Sequence, residues 1–536
     1  MNPALGCGLK WSCPWRCGYG VVLLVLIAAC ALAFRLHKLE SRPFHTDEAV
    51  QAVKAGELYD RGQYIYNPFE FHGPSLYYCT LPVLKLSGAK NFADAGDTAF
   101  RLVPALFGVG LILLLAPLRR DLGMVAMLTA AGLLAVSPAM VFFSRYYIQE
   151  MLLVFFAALA LGALWRYSRT QRSRWVVLLG TAVGLMYATK ETSVIYGGAM
   201  GVAYGVLLLR RRCREGPRPW YLCRRDLQLL ALALGVAAVV AGLLYSSLLA
   251  HPRGLLDSLL AFRHYYERSG GDGSTAMHQQ PWYYYLKMLG YTKDAPGPWW
   301  SEGLILGLAA LGLGASFRGR LPAVIHPDLA LLLAVYTLCM TVTYAMIPYK
   351  TPWNMLGFLH GLILMAGIGA SCLYHGIPWR SGRVVWVLLL LLGVGQLAAQ
   401  ASRAIGRFCA DPRNPYVYAH SVPDVVRLSR RIHELAAVHA DGPAMRIHCI
   451  TPDYWPLPYY LRKLRRVGYW SQIPATADAP VIVASADLQA RLEPLLHDRY
   501  HTEFYGLRPG VLLVLNIQQD LWDRYLLEKT SAPATR

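Results

Sequence analysis

The amino-acid sequence predicts a polytopic α-helical membrane protein that ends in an α/β domain. Of its 536 residues, 55% are hydrophobic and only 16% are charged, which is too apolar for an ordinary soluble protein. Long apolar segments recur as far as residue 401, and beyond it the composition changes to short apolar runs separated by turn residues. We therefore expect a transmembrane domain over residues 1–401 and an α/β domain over residues 402–536.

The predicted spans follow from the length that a bilayer demands. A spanning helix needs about 20 mainly apolar residues, because an unpaired backbone group in hydrocarbon costs several kcal/mol. About eleven segments qualify, some of them short, and we place them near residues 19–36, 101–118, 122–143, 149–166, 175–189, 193–209, 227–250, 302–317, 329–347, 353–374 and 384–401.

The arginine distribution predicts the orientation of these spans. The formal net charge is +20, and the arginines fall in alternate loops, as in a protein that obeys the positive-inside rule. This explanation leaves no reason to expect a nucleic-acid partner. We expect the N-terminus in the cytoplasm, the chain in the cytoplasmic (inner) membrane, and three large pieces on the periplasmic or extracytoplasmic side: the loop 37–100, a loop over about 251–300, and the C-terminal domain.

The C-terminal region alternates two patterns. Short apolar runs, PVIVAS and GVLLVLNI, are typical of buried strands, whereas DVVRLSRRIHELAAV and LQARLEPLL have the periodicity of amphipathic helices. The alternation predicts a small α/β domain.

The first outer loop contains the candidate catalytic residues. Asp47 and Glu48 directly follow the first apolar segment and open an amphipathic stretch in which Thr46 is the expected helix N-cap. Acidic residues in a first helical turn are also explained by capping alone. Their place at the membrane exit, in a loop rich in aromatic residues, is where the headgroup of a lipid-borne substrate would lie. The aromatic residues have their own alternative as an interfacial belt.

Few cations lie on the predicted outer side. Arg145, Lys190 and Lys350 each fall at the outer end of a helix pair, and ionisable residues at membrane depth are candidates for function. We predict that they converge on one lipid headgroup, with Glu150, Glu191, Tyr349 and Trp353 as supporting residues. Alternatively, Lys190 and Glu191 neutralise each other, and Arg145 and Lys350 contact anionic lipid.

A metal site is not favoured. His45 and His72 are 27 residues apart and lack the i, i+4 spacing of a helical metal site, so we expect both as supporting residues of the loop. The 11 cysteines include no CxxC pair, and no nucleotide-binding glycine motif is present. We expect no cofactor, although a divalent cation remains possible.

Several short motifs together resemble one superfamily. They are HTDEA, YNPFEFHGPSLYY, FSRYYIQE, ATKET, PYKTPW, DPRNPYVYAHS and DYWPLPYYL. Their order is similar to that of the GT-C membrane glycosyltransferases, which include the protein O-mannosyltransferases and the lipid A aminoarabinose transferase. They look most like the bacterial and archaeal membrane proteins described as flippase-activity-associated, which belong to that superfamily.

The resemblance implies a polyprenyl-phosphate sugar donor and an inverting single displacement. Asp47 matches the acidic residue that acts as base on the acceptor hydroxyl, Glu48 is its neighbour, and cationic residues bind the lipid phosphate. A base and a stabilised leaving phosphate are what attack on an anomeric carbon requires. The predicted partners are thus a polyprenyl-phosphate sugar, membrane lipids, and a glycan, lipid or protein acceptor.

Two other functions fit part of the pattern. A non-catalytic flippase, or an accessory protein of a flippase, would use the same cationic headgroup pocket without making a bond. A secondary transporter is less favoured, because the sequence lacks Gly- or Pro-broken segments at matching positions of two halves.

Overall fold

Helices make up most of the structure, a computed structural model that describes residues 14–69, 72–215, 224–269, 278–294 and 296–531. Up to residue 405 the helices are α1 (Pro14–Leu36), α2 (Thr46–Arg61), α3 (Ser75–Leu86), α4 (Asp97–Leu113), α5 (Arg119–Leu122), α6 (Met124–Val136), α7 (Pro138–Phe143), α8 (Glu150–Thr170), α9 (Ser173–Tyr187), α10 (Ser193–Glu215), α11 (Arg224–Tyr245), α12 (Arg253–Ser269), α13 (Tyr284–Gly290), α14 (Gly303–Arg318), α15 (Pro327–Met346), α16 (Leu356–Gly376) and α17 (Arg380–Ile405). Two antiparallel strands of two residues each, β1 (Thr292–Lys293) and β2 (Trp299–Trp300), precede α14.

The helices confirm a multi-pass membrane protein. Every predicted span coincides with a helix or a helix pair. Within the described residues, eight helical segments are long and apolar enough to cross a bilayer, and Met124–Val136, Ser173–Tyr187 and Gly303–Arg318 are shorter apolar helices. The number of crossings therefore stays a prediction.

The third predicted span is interrupted rather than continuous. Helix α6 ends at Val136 and α7 begins at Pro138, whose ring removes a backbone donor. The buried Glu302 carboxylate accepts from the Ala139 backbone N–H at 2.9 Å and from the Ser137 hydroxyl at 2.5 Å. A carboxylate from the start of α14 thus satisfies the donors that the interruption exposes.

Helix α16 lies at the centre of the bundle, with 89% of its apolar window buried. It packs against α14 through glycines at two positions, because an added Cβ at Gly312 would lie 2.0 Å from the Met365 backbone oxygen and one at Gly369 would lie 2.0 Å from that of Leu308. By contrast, only 6% of the apolar stretch of α11 and 17% of that of α17 are buried. These two helices therefore expose most of their surface to lipid.

The C-terminal region contains the predicted sheet. Its elements are α18 (Asp424–Val438), β3 (Arg446–Ile450), α19 (Leu457–Tyr460), β4 (Arg466–Trp470), β5 (Val481–Ser485), α20 (Ala486–Leu492), β6 (Tyr500–Arg508), β7 (Val511–Gln518) and α21 (Gln519–Ser531). The strand order is β4-β3-β5-β7-β6, with β3 parallel to both neighbours and β7 antiparallel to both of its own. The two apolar runs of the sequence form β5 and β7, as predicted.

The C-terminal region packs on the first loop. The Phe44 ring stacks on Tyr459 of α19 at 4.1 Å between centroids, and the Tyr459 hydroxyl donates to Asp97 at 2.6 Å. Arg462 donates to the Ala95 carbonyl at 2.6 Å. The loop before α2 is therefore held between the helical bundle and the C-terminal region.

Candidate functional site

The acidic pair lies in the first turn of α2, as predicted, but the predicted cap is wrong. His45, not Thr46, is the N-cap, because its extended backbone lets its Nδ1 accept from the Asp47 N–H at 3.0 Å. The Glu48 carboxylate accepts from the His45 N–H at 3.1 Å, which completes a capping box. Thr46 is already the first helical residue.

Glu48 is fully buried in an ion cluster. Arg42 donates to both of its oxygens at 2.9 Å, Arg101 donates to them at 3.0 and 3.1 Å, and the Tyr147 N–H donates at 3.0 Å. Burial alone would raise the pKa of Glu48, but Arg101 and Arg42 outweigh it and hold the pKa below its ordinary value. Glu48 thus joins the first loop to α4 and to the α7–α8 connection.

Asp47 has the opposite environment. Its side chain is 46% exposed, and the His45 Nδ1 lies 3.9 Å from its carboxylate. That nitrogen already accepts from a backbone N–H, so it has no proton to give to the carboxylate. Asp47 is therefore an ionisable group that is open to solvent and held at a fixed helix start.

Two residues distant in sequence lie within electrostatic range of the Asp47 carboxylate. Its charge acts on His278 and Tyr418, which are joined by a 2.5 Å hydrogen bond from the Tyr418 hydroxyl to His278 Nδ1. Burial raises the pKa of Tyr418 to about 12, and the charges of Tyr349 and Asp47 contribute. Tyr418 therefore stays protonated and can donate at neutral pH.

The predicted supporting residues Tyr349 and Trp353 lie against His278 and Tyr418. Residues 278–280 pair with 348–350, since the Lys350 N–H donates to the His278 carbonyl at 2.9 Å and the Gln280 N–H to the Pro348 carbonyl at 3.0 Å. The His278 and Tyr349 rings lie 4.7 Å apart. Trp353 is buried, with its ring 5.8 Å from His45 and 6.0 Å from Tyr418. Tyr349 itself is 45% exposed.

His420, from the C-terminal region, packs with its ring 5.1 Å from that of His45. The His420 Nε2 lies 3.1 Å from Arg42 and 2.9 Å from the Tyr146 hydroxyl, and Arg42 lies 4.0 Å over the Tyr146 ring. Burial, together with His45 and Arg42, lowers the pKa of His420 well below its ordinary value. The neutral imidazole of His420 accepts a hydrogen bond from Arg42, which also binds Glu48. His420 therefore connects the ion cluster to the segment that carries Tyr418.

The structure places Arg145 away from solvent. Its guanidinium donates to the carbonyls of Arg35, His37 and Lys38 at 3.0, 2.6 and 2.8 Å. These are among the last carbonyls of α1 and the first beyond it, which lack intrahelical partners. Arg145 therefore fixes the end of α1 from which the first loop departs.

Lys190 and Lys350 both reach the end of α15. Lys190 forms an ion pair with Glu150 and lies within electrostatic range of the Tyr344 side chain of α15. Lys350 is buried and donates to the carbonyls of Ala345, at 3.0 Å, and of Ile347. The structure thus brings these two predicted cations to one region and Arg145 to another. Their binding of a donor stays a prediction.

His72 contacts Glu191 of the α9–α10 connection. Its Nδ1 is 2.7 Å from the Glu191 carboxylate, so Glu191 pairs with His72 across the first loop rather than with its neighbour Lys190. Among the described residues, no three His, Cys, Asp or Glu side chains are close enough together to hold a metal ion.

Sequence reasoning singled out Asp47 but missed Arg42, His278, Tyr418 and His420. The motif DPRNPYVYAHS contains the last two and was a signal that this segment mattered. Nothing in the sequence around His278 indicated its place, since only the pairing with residues 348–350 brings it to Asp47.

Comparison with known proteins supports one fold. The family described as dolichyl-phosphate-mannose-protein mannosyltransferase matches residues 83–245. No curated protein sequence matches the chain significantly.

Three solved structures cover nearly the whole chain. ArnT from Cupriavidus metallidurans matches with a TM-score of 0.61 in the apo state and 0.63 bound to undecaprenyl phosphate, each at 17% identity over 93% of this chain and 98% of that chain. The oligosaccharyltransferase of Archaeoglobus fulgidus matches with a TM-score of 0.56 at 13% identity, over 96% of this chain and 78% of that chain. The chain thus has the fold of the GT-C membrane glycosyltransferases, as its motifs predicted.

Proposed function

We propose that this chain is a membrane glycosyltransferase that transfers a sugar from a polyprenyl-phosphate donor to an acceptor on the outer face of the cytoplasmic membrane. The observation that carries the proposal is the contrast between two adjacent carboxylates. Glu48 is buried in an ion cluster, whereas the Asp47 side chain is 46% exposed and lies within electrostatic range of Tyr418 and of His278, whose ring lies against Tyr349.

Asp47 acts in this proposal as the base. As the acceptor oxygen forms a bond to the anomeric carbon, its proton passes to the Asp47 carboxylate. The bond from that carbon to the phosphate oxygen breaks, and its electron pair leaves with the polyprenyl phosphate. Because the acceptor attacks from the face opposite to the leaving phosphate, the configuration of the anomeric carbon is inverted. Glu48 serves as a positioning residue, since the capping box and the two arginines fix the helix start that carries Asp47.

The donor phosphate is proposed to bind near Lys190 and Lys350. The phosphate gains charge as the sugar departs, so a nearby cation stabilises the transition state more than the ground state. Lys350 donates to a carbonyl at the end of α15, and Lys190 lies within electrostatic range of Tyr344 of the same helix. The Lys350 N–H also donates to the His278 carbonyl. Arg145 contributes indirectly, by holding the end of α1. The undecaprenyl phosphate in the ArnT structure supports a carrier of this kind.

The experiment that tests the proposal is mass spectrometry of polyprenyl-linked sugars and envelope glycans from a strain that lacks the gene. Transfer predicts that one sugar donor accumulates while the matching sugar disappears from a glycan, lipid or protein. The wild-type gene should reverse both changes. Unchanged glycans would contradict the proposal, and a lipid-linked glycan confined to the cytoplasmic leaflet would favour the flippase alternative.

A further inference from the structure

A cavity of about 500 Å³ lies at the end of the bundle opposite Asp47. Its wall comes from the α5 segment, the end of α8 and the approach to α15, including Arg120, Asp121, Arg166, Arg169 and His326. Its position follows from α8, which begins at Glu150 beside Lys190 and ends at Thr170 beside the cavity. A helix of 21 residues is about 30 Å long, so the cavity and the Asp47 region are separated by about one bilayer core.

The cavity wall is tied together by specific contacts. The His326 N–H donates to the Asp121 carbonyl at 2.7 Å, and the Trp165 indole N–H donates to the Asp121 carboxylate at 3.0 Å. Arg169 lies 2.9 Å from His326 Nε2. Three separate segments are therefore fixed relative to one another, unlike arginines on independent surface loops.

The wall carries excess positive charge. Three arginines face one carboxylate, and that carboxylate already accepts from Trp165. The Arg166 Nε is buried and has no hydrogen-bond partner in the part of the chain that the structure describes, while its guanidinium lies 5.3 Å over the Trp175 ring. Asp328 does not offset this charge, because it pairs with Arg211 at 2.9 Å.

We infer that this cavity, which we call the Arg166 pocket, binds a phosphate group. Arginine forks match phosphate oxygens in geometry as well as charge. The pocket opens at the ends of membrane helices, where the phosphate of an anionic lipid lies within reach. A soluble phosphate would satisfy the same groups, so the test separates the two sources. The inference is independent of the sugar transfer proposed for the opposite end.

The test uses the full chain in detergent micelles and native mass spectrometry during titration with phosphatidylglycerol. The pocket variant carries Arg166→Gln and Arg169→Gln. The control carries Arg318→Gln and Arg380→Gln, which remove two exposed arginines at the same end but outside the pocket. We expect the first lipid to bind about tenfold or more weakly to the pocket variant, given about 1 kcal/mol for each cation, and within twofold of wild type to the control.

A parallel titration with inorganic phosphate, read by thermal unfolding, identifies a soluble ligand. Stabilisation that is lost in the pocket variant alone would support phosphate binding with a soluble source. Equal lipid affinity in the pocket variant and wild type, without any phosphate stabilisation, would overturn the inference. Equal losses in the pocket variant and the control would overturn it as well, because they would show a general surface-charge effect.

Discussion

Asp47 and Glu48 are neighbours in sequence with opposite surroundings. Both are acidic residues of a first helical turn, and hydropathy and charge alone do not distinguish them. The difference in burial arises from the direction in which each side chain leaves α2, since residue N3 of a helix turns back toward the N-cap. Arg42 and Arg101 then bury Glu48 completely, whereas the Asp47 side chain stays 46% exposed.

Glu48→Gln should destabilise the protein severely. The substitution leaves Arg42 and Arg101 buried without a counter-ion, and breaking a buried pair in this way costs about 3 kcal/mol or more. Thermal unfolding of the purified variant in detergent measures the loss. The depressed pKa of Glu48 gives the pH dependence: stability from this carboxylate is present above its ordinary pKa and is lost as pH falls through the lowered folded value. An unfolding temperature equal to that of wild type would show that the ion cluster does not hold the loop.

Lys350→Ala and Lys190→Ala test the donor-phosphate proposal at single residues. If the phosphate binds between them, at least one variant should lose donor affinity strongly, and its transfer rate should fall as well. Arg in place of Lys350 should rescue only partly, because a planar fork presents its charge differently from a compact ammonium. Titration with the accumulated donor lipid measures the affinity. If both variants bind it within twofold of wild type, the proposed headgroup site is elsewhere.

The sequence predicted the helices more reliably than their ends and interruptions. Hydropathy over about 20 residues averages out local detail, so every predicted span coincides with a helix or a helix pair. Pro138 marks the interruption between α6 and α7 locally, but Glu302, whose carboxylate accepts from the Ala139 N–H, comes from a distant part of the chain. The position of His278 depends likewise on a backbone pairing across the chain, so neither contact has a local signature.

The close contact between α14 and α16 can be tested with two glycine substitutions on α14, one at the contact and one away from it. Gly312→Ala would place a Cβ 2.0 Å from the Met365 carbonyl oxygen, whereas Gly307→Ala, on the same helix, meets nothing within 4 Å. We expect Gly312→Ala to destabilise the protein by about 1–3 kcal/mol through overpacking, and Gly307→Ala to be neutral or slightly stabilising. Thermal unfolding of both variants in the same detergent decides between close packing and a loose contact. Equal unfolding temperatures would show that the two helices separate without cost.

Across the whole molecule, the bundle and the C-terminal region together build one site. Asp47 comes from the first loop, Tyr349 and Trp353 from the α15–α16 connection, and Tyr418 and His420 from the segment after α17. The sequence predicted two domains from a change in composition. It did not predict that the first loop lies between them, because the contacts of Tyr459 and Arg462 join residues hundreds of positions apart.

The orientation of the whole chain is testable with reporters. The arginine asymmetry predicts that a reporter fused after Arg212 is cytoplasmic and that one fused after Arg536, which lies beyond the described residues, is on the outer side. Paired alkaline phosphatase and fluorescent protein fusions measure this. A cytoplasmic C-terminus would place Asp47 on the cytoplasmic side of the membrane, which is the wrong face for an outer-side transferase.

The most direct test of the central claim is sugar transfer by Asp47→Asn in the strain that lacks the gene. Asparagine keeps the size of the side chain but is a far weaker base, so we expect normal abundance in the membrane and no transferred sugar. Glu57→Gln is the matched control, because Glu57 lies on the same helix, its side chain is 38% exposed, and it pairs only with Lys54 among the described residues. The Glu57→Gln protein should restore transfer fully. Wild-type levels of glycan in the Asp47→Asn strain would contradict the assignment of Asp47 as the base.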